Sequence, residues 1–149
     1  MCGIVGFTGK TDAVEVLIKG LYSLEYRGYD SAGIAAFCKN GLKVVKTKGR
    51  IKNLETKIRE SGEMRCSCGI GHTRWATHGG PSDANSHPHL GGEGKVAVVH
   101  NGIIENYTEL KEKLLALQTQ DYRCSTHCEC ISELPGHPKP HRSHHPQCR

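Results

Sequence analysis

The stretch MCGIVGF, residues 1–7, places a cysteine directly before a short apolar run that predicts the first strand of the fold. Ile4, Val5 and Phe7 have strand-forming side chains, and the run ends at a turn-forming Thr-Gly-Lys segment. No charged segment precedes the run and no small-residue cleavage site follows it, so it is not expected to be a secretory signal. Cys2 is therefore either an incidental thiol on an ordinary strand or a residue that becomes the amino terminus after removal of the methionine.

The composition predicts one domain with an ordinary charged surface. With 149 residues the chain is long enough for one core, and its formal charge is +5. Lysine and arginine are interspersed with glutamate and aspartate rather than clustered, which argues against a nucleic-acid partner. No segment is long and apolar enough to span a bilayer, so no membrane partner is expected. Eight cysteines without a secretion signal predict reduced thiols and a cytoplasmic location.

The chain divides into an ordered body, residues 1–117, and a tail of different composition, residues 118–149. The tail holds four of the eight cysteines, five of the ten histidines and four of the six prolines. Because it shows neither helical nor strand periodicity, we expect it to be disordered or the product of a frameshift. The spacings Cys124–Cys128 and His137–His141 leave a zinc-binding or interaction module as the alternative.

Predicted strands and helices alternate along the body. An amphipathic helix begins near residue 12, with Thr11 or Asp12 as its cap, and the dipeptide Asn40-Gly41 between two β-prone runs indicates a hairpin. The other predicted elements are a helix at 51–59, strands at 68–72 and 96–100, and a helix at 107–117. Helices and antiparallel hairpins in one domain indicate a layered α+β fold.

The segment GHTRWATHGGPSDANSHPH, residues 71–89, follows a predicted strand and is too polar to belong to a core. Arg74 at the strand exit is suited to bind a carboxylate through two parallel N–H bonds, with Thr77 and His78 beside it. The glycines that follow allow the loop to close over a ligand. A metal site at His87 and His89 is one alternative, and a surface loop without function is the other.

Two further segments carry possible chemistry. VVHNGIIENY, residues 98–107, ends a predicted strand at Asn101-Gly102, where a side-chain amide and an unobstructed backbone N–H lie together. Such a pair suits an oxyanion hole, but it equally suits a simple turn, because both residues favour turns. LEYRGYDSAG, residues 24–33, is interpreted as structural, with Arg27 and Asp30 pairing across the loop.

These segments, read in chain order, closely resemble one enzyme domain. Cys2 with GIVG, then LEYRGYDSAGI, HTRWATHG and VVHNGIIENY resemble the glutamine amidotransferase domain of glutamine–fructose-6-phosphate aminotransferases, also called isomerising glucosamine-6-phosphate synthases. The resemblance covers residues 1–117. It implies the N-terminal-nucleophile (Ntn) hydrolase fold, an α+β four-layer αββα sandwich, which would be incomplete in this chain.

The resemblance also implies the catalytic residues. Cys2 becomes the N-terminal nucleophile after methionine removal, and Asn101 and Gly102 form the oxyanion hole. The physical chemistry agrees, because an α-amino group titrates near ~7.7–8.0 and can accept the thiol proton at neutral pH.

The implied substrate is L-glutamine. By resemblance Arg74, Thr77 and His78 hold its carboxylate, and Trp75 belongs to the loop that closes over it. No cofactor and no metal are implied, and the family enzyme is expected to be a homodimer.

The tail departs from the family pattern. After residue 117 the family continues into a strand and an acidic segment that binds the α-amino group of glutamine, and no such segment is recognisable here. The sugar-phosphate isomerase half is also expected to be absent, so fructose 6-phosphate would bind only through that missing domain. We therefore expect this chain to be inactive or nearly so.

Overall fold

A computed structural model describes residues 2–76, 80–92 and 94–116. Its elements are β1 Gly3–Thr8, α1 Ala13–Ser23, β2 Ser31–Cys38, β3 Gly41–Lys48, α2 Ile51–Glu60, β4 Cys66–Arg74, β5 His89–Gly91, β6 Val96–Val98 and α3 Tyr107–Ala116. β4 extends two residues beyond each end of the predicted strand, and β6 stops two residues short. The predicted tail lies outside the described residues. Within them, no helix combines the length and apolar character needed to cross a membrane.

The larger sheet has four antiparallel strands in the order β1-β4-β2-β3. Gly3 pairs with Thr73 and Ser31 pairs with Arg74, so the starts of β1 and β2 and the end of β4 meet at one end of the sheet. β2 and β3 form the hairpin predicted from the Asn-Gly dipeptide, and Gly41 has the positive φ of 101° that such turns favour. β5 and β6 form a separate two-stranded sheet.

Helices α1 and α2 pack on one face of the four-stranded sheet and form the core with it. The fully buried aliphatic side chains come from both helices and from β2, and the largest are Leu17, Leu21, Ile34, Ile51 and Leu54. Burying each of them stabilises the fold by about 1.5–3 kcal/mol.

Two polar side chains fix the starts of these helices. The Asp12 carboxylate accepts a hydrogen bond from Val14 N at 3.2 Å, which caps α1, and another from Cys66 N at 3.3 Å, which ties the cap to β4. The residue before α2 supplies no capping side chain, and the Tyr29 hydroxyl accepts from Ile51 N at 2.8 Å instead.

The opposite face of the four-stranded sheet meets the segment that contains His87 and the β6 strand. Gly33 of β2 lies so close to this segment that an added Cβ would be 2.3 Å from His87 O. Part of the face is open, with a groove of about 590 Å³ where Phe37 is 52% exposed. The described layers are thus helices, a four-stranded sheet and a two-stranded sheet, which correspond to an incomplete sandwich.

The expectation that the cysteines are reduced is wrong for one pair. Cys38 and Cys66 form a disulfide between β2 and β4, because the strand register places them directly opposite each other. Cys2 and Cys68 are free thiols.

Candidate active site

Cys2 lies at the end of the sheet where β1 begins and β4 ends. The Trp75 N–H donates a hydrogen bond to Cys2 Sγ at 3.3 Å, and the Cys2 thiol donates to Trp75 O at 3.8 Å. This position follows from the antiparallel register, since the pairing of Gly3 with Thr73 brings the residues beyond them to the same point. Cys2 is only partly buried, so a small molecule can reach it.

The predicted Asn101-Gly102 pair lies beside the same cysteine. Asn101 Nδ2 donates to the backbone oxygen of Cys2 at 3.4 Å. A side chain at Gly102 would require the His100 ring to move, because an added Cβ would lie 2.8 Å from it. The structure therefore brings Cys2 and the Asn101 side-chain amide together, with the backbone of Gly102 next along the chain, and these are groups that an oxyanion hole beside a nucleophile can use. The catalytic roles of these residues stay predictions.

Arg74 is buried at the end of β4, with 7% of its surface exposed. Its Nη1 lies 4.0 Å from Asp30 Oδ1. The Asp30 carboxylate also accepts a short hydrogen bond from Ala76 N and one from the Ser31 hydroxyl at 2.9 Å, and Asp30 N donates to Arg74 O at 2.8 Å. Asp30 therefore positions both the guanidinium and the backbone of the strand exit.

Asp30 has a different partner from the one expected from the sequence. The Nε of Arg27, its expected partner, donates to the Tyr26 hydroxyl at 3.1 Å. Asp30 directly precedes β2, and β2 pairs with the end of β4, so the contact with Arg74 follows from the strand order. Sequence spacing alone does not contain that order.

Trp75 lies at the surface, 51% exposed, with its indole against Gly28. Gly28 has a φ of 70°, and an added Cβ would lie 2.9 Å from the indole ring, so this contact requires glycine. Thr77 and His78, the other predicted ligands of the glutamine carboxylate, lie outside the described residues.

Three buried histidines pack together next to Arg74. The ring centroids of His72 and His87 are 4.3 Å apart, and those of His87 and His89 are 4.5 Å apart. Burial, reinforced by nearby positive charges such as Arg74 and Lys46, lowers the pKa of His72 to about 4, of His87 to about 2 and of His89 to about 4. All three rings are therefore neutral at pH 7.

The histidine cluster also contacts the turn that carries the candidate oxyanion hole. His100 N, one residue before Asn101, donates to His87 Nδ1 at 3.4 Å. This bond requires an unprotonated Nδ1, in agreement with the lowered pKa. In the described part of the chain, no three His, Cys, Asp or Glu side chains are grouped as metal ligands, so a metal site at His87 and His89 has no support there.

Several bacterial enzymes are similar in sequence to most of this chain. No protein-family profile matches it. Glutamine–fructose-6-phosphate aminotransferase (isomerising) of Clostridium perfringens is 52% identical over 134 residues, which are 90% of this chain and 22% of the relative. The enzyme of the same name from Streptomyces coelicolor is 50% identical over the same share of each chain. That of Clostridium tetani is 59% identical over 76% of this chain and 19% of the relative.

The chain is a homologue of the N-terminal domain of these aminotransferases. It spans about a fifth of the length of the relatives it matches.

Two solved amidotransferase-type structures share its fold. The allosteric regulatory enzyme of purine biosynthesis superposes with a TM-score of 0.72, and glutamine phosphoribosylpyrophosphate amidotransferase from B. subtilis with 0.69. Each is 30% identical and covers 88% of this chain and 28% of its own. These neighbours confirm the α+β Ntn fold that the sequence motifs of this aminotransferase homologue predict.

Proposed function

We propose that this chain carries the glutaminase step of its aminotransferase relatives, in which Cys2 attacks the side-chain amide of L-glutamine and ammonia is released. The proposal depends above all on one observation: Cys2 Sγ lies 3.3 Å from Trp75 N, and Asn101 Nδ2 lies 3.4 Å from the backbone oxygen of the same cysteine. A reachable thiol next to oriented N–H donors is what amide hydrolysis through a thioester requires.

The base in this mechanism is the α-amino group of Cys2, which removal of Met1 exposes. An α-amino group titrates near ~7.7–8.0, so a fraction of it is neutral at pH 7 and accepts the thiol proton. The thiolate then attacks the amide carbon, a C–S bond forms, and negative charge develops on the amide oxygen. Asn101 Nδ2–H and Gly102 N–H would stabilise that charge.

Release of ammonia and hydrolysis complete the cycle. The C–N bond breaks as the Cys2 ammonium group donates its proton to the leaving nitrogen. A water molecule, deprotonated by the same amine, attacks the thioester and frees glutamate and the thiol.

Arg74 is proposed to bind the α-carboxylate of glutamine, together with Thr77 and His78. The Asp30 carboxylate holds its guanidinium in place before substrate arrives, which favours the two-point geometry of an arginine–carboxylate pair. Trp75 would close over the bound amino acid from its exposed position.

The remaining steps of the relatives' reaction are proposals for a longer protein. Binding of fructose 6-phosphate, formation of glucosamine 6-phosphate, a homodimer and a cytoplasmic location all come from the resemblance. For the chain itself we expect trace ammonia release at most, because no acidic partner for the glutamine ammonium group is recognisable after residue 117. Misplacement of a substrate by about an ångström can cost ~100-fold in rate.

Covalent labelling tests the proposal without requiring turnover. The full chain with Met1 removed is treated with a glutamine analogue that carries a chloroketone in place of the amide, and the modified peptide is identified by mass spectrometry. We expect label on Cys2, protection by L-glutamine, and no label in Cys2→Ala. The matched control Cys68→Ser should label like the unchanged protein. Equal labelling of Cys2 with and without L-glutamine would contradict a glutamine site.

A further inference from the structure

The disulfide between β2 and β4 lies at the opposite end of the sheet from Cys2 and has no part in the proposed glutaminase chemistry. We propose that Cys38 and Cys66 form a reversible redox site. A low-molecular-weight disulfide such as oxidised glutathione closes the bond, and the corresponding thiol opens it. The closed bond acts as a covalent lock on residues 39–65, the loop that contains β3 and α2.

The strand register builds this site. Cys38 ends β2 and pairs directly with Cys66 at the start of β4, and their Cα atoms are 4.1 Å apart. Ser67 is the extra residue of a β-bulge between this pair and the pair Phe37–Cys68. Because of the bulge, Cys66 faces the helical core, whereas Cys68 lines the groove on the other face of the sheet. The register therefore places Cys66, and not Cys68, opposite Cys38, so Cys68 does not compete for this bond.

The two sulfur atoms differ in their exposure to solvent, and this difference decides which of them an external thiolate attacks. Cys66 is 5% exposed, whereas Cys38 is only half-buried. An external thiolate therefore attacks Cys38 Sγ, the S–S bond breaks, and Cys66 leaves as a thiolate that takes up a proton. A second thiolate attacks the mixed disulfide and releases Cys38. The protein gains two electrons and two protons, and two glutathione molecules become one glutathione disulfide; closure is the reverse.

Apart from the disulfide, the loop is held to the rest of the protein by the β2–β3 pairing and by hydrogen bonds such as those from Lys48 N to Asp83 and from Ile51 N to the Tyr29 hydroxyl, each of 2.8 Å. Lys57 Nζ of α2 donates to Lys46 O at 3.0 Å and pairs with Asp83 at 2.7 Å, and both members of this ion pair are about half exposed. Exposed ion pairs of this kind contribute little to stability. Because β3 and α2 lie within the loop that the disulfide closes, and β1 and α1 lie outside it, opening of the bond is expected to increase local opening of β3 and α2 more than that of β1 or α1.

Peptide mapping of the full chain tests the redox site. The protein is equilibrated with mixtures of reduced and oxidised glutathione, free thiols are alkylated, and tryptic peptides are separated without reduction. We expect one linked species that joins the peptide 28–39 to the peptide 66–74, rising with oxidised glutathione and disappearing with reduced glutathione. Cys38 and Cys66 found alkylated across the whole range, or linked to other cysteines, would overturn the proposal.

Single variants test the direction of attack and the identity of the pair. Cys66→Ser should accumulate glutathione on Cys38, and Cys38→Ser should leave Cys66 unmodified. Cys68→Ser is the matched control, because it removes a neighbouring thiol of the same strand and should retain the linked peptide. Preferred modification of Cys66 would show that the assigned direction is wrong.

Hydrogen exchange tests the lock itself. Deuterium uptake in peptides from 39–65 should rise several-fold when the protein is reduced, with little change in peptides from β1 and α1. Equal deuterium uptake in both redox states would show that the disulfide, even if it forms, does not restrain residues 39–65.

Discussion

Acidification from about pH 7.5 to about pH 5.5 should destabilise the protein through the buried histidines His72, His87 and His89. An unfolded histidine has a pKa of about 6.5. In the folded protein the pKa values are about 4, about 2 and about 4, so the folded state binds fewer protons than the unfolded state. Stability is therefore complete above pH 6.5 and falls as the pH drops through that value toward 4.

The expected loss follows from this linkage. Between about pH 7.5 and about pH 5.5, each histidine lowers the free energy of unfolding by about 1.4 kcal/mol, and the three together lower it by about 4 kcal/mol. Small domains have total unfolding free energies of about 5–15 kcal/mol, so this loss is a large share. Below about pH 4 the dependence from His72 and His89 levels off, because the folded state then binds their protons as well.

Urea unfolding followed by circular dichroism at the two pH values measures this loss as a shift of the midpoint at constant slope. The variant His72→Gln removes one titrating ring and should reduce the pH dependence by about one third. Equal midpoints at both pH values would refute the reasoning. If His72→Gln loses as much stability between the two pH values as the unchanged protein, His72 does not contribute to the pH dependence.

Three other predictions concern single side chains. Cys2→Ala, or retention of Met1, should abolish any ammonia release measured with a coupled glutamate assay, because each removes the thiolate or its base; an active form with Met1 retained would contradict the mechanism. Arg74→Lys keeps the charge but loses the planar guanidinium that binds a carboxylate at two points. The KM for glutamine should therefore rise tenfold or more, which corresponds to ~1.4 kcal/mol of binding free energy, with little change in the free energy of unfolding. An unchanged KM would remove Arg74 from the site. Tyr29→Phe removes the acceptor of the Ile51 N–H and should lower the unfolding free energy by about 1 kcal/mol, measured by urea titration; no change would show that water replaces the bond.

Local signals in the sequence predict most elements but not the contacts between them. The Asn-Gly dipeptide predicts the β2–β3 hairpin because that turn is decided by two residues. The sequence motifs predict that Cys2, Arg74 and Asn101 belong to one site. In the structure, Cys2 contacts Trp75, which follows Arg74, and it also contacts Asn101.

The missed features depend on tertiary structure. The disulfide requires an extra residue, Ser67, in one strand, and no local pattern indicates a bulge there. The partner of Asp30 depends on β4 lying between β1 and β2. The burial of three histidines likewise appears only when the segment 82–98 packs on the sheet, since polar residues are normally predicted at the surface.

The strand order also has a consequence for the synthesis of the chain. Among the described residues β1 lies at the edge of the sheet, and its partner β4 begins more than fifty residues later, with Gly3 paired to Thr73. On the ribosome, at about 5–20 residues per second, β1 therefore emerges seconds before any strand that can pair with it. The local β2–β3 hairpin can form during that interval, because closing a short loop is fast and pairing distant strands is slow. The removal of Met1 that the proposed mechanism requires can thus take place on an unpaired segment, before β4 has emerged to enclose Cys2.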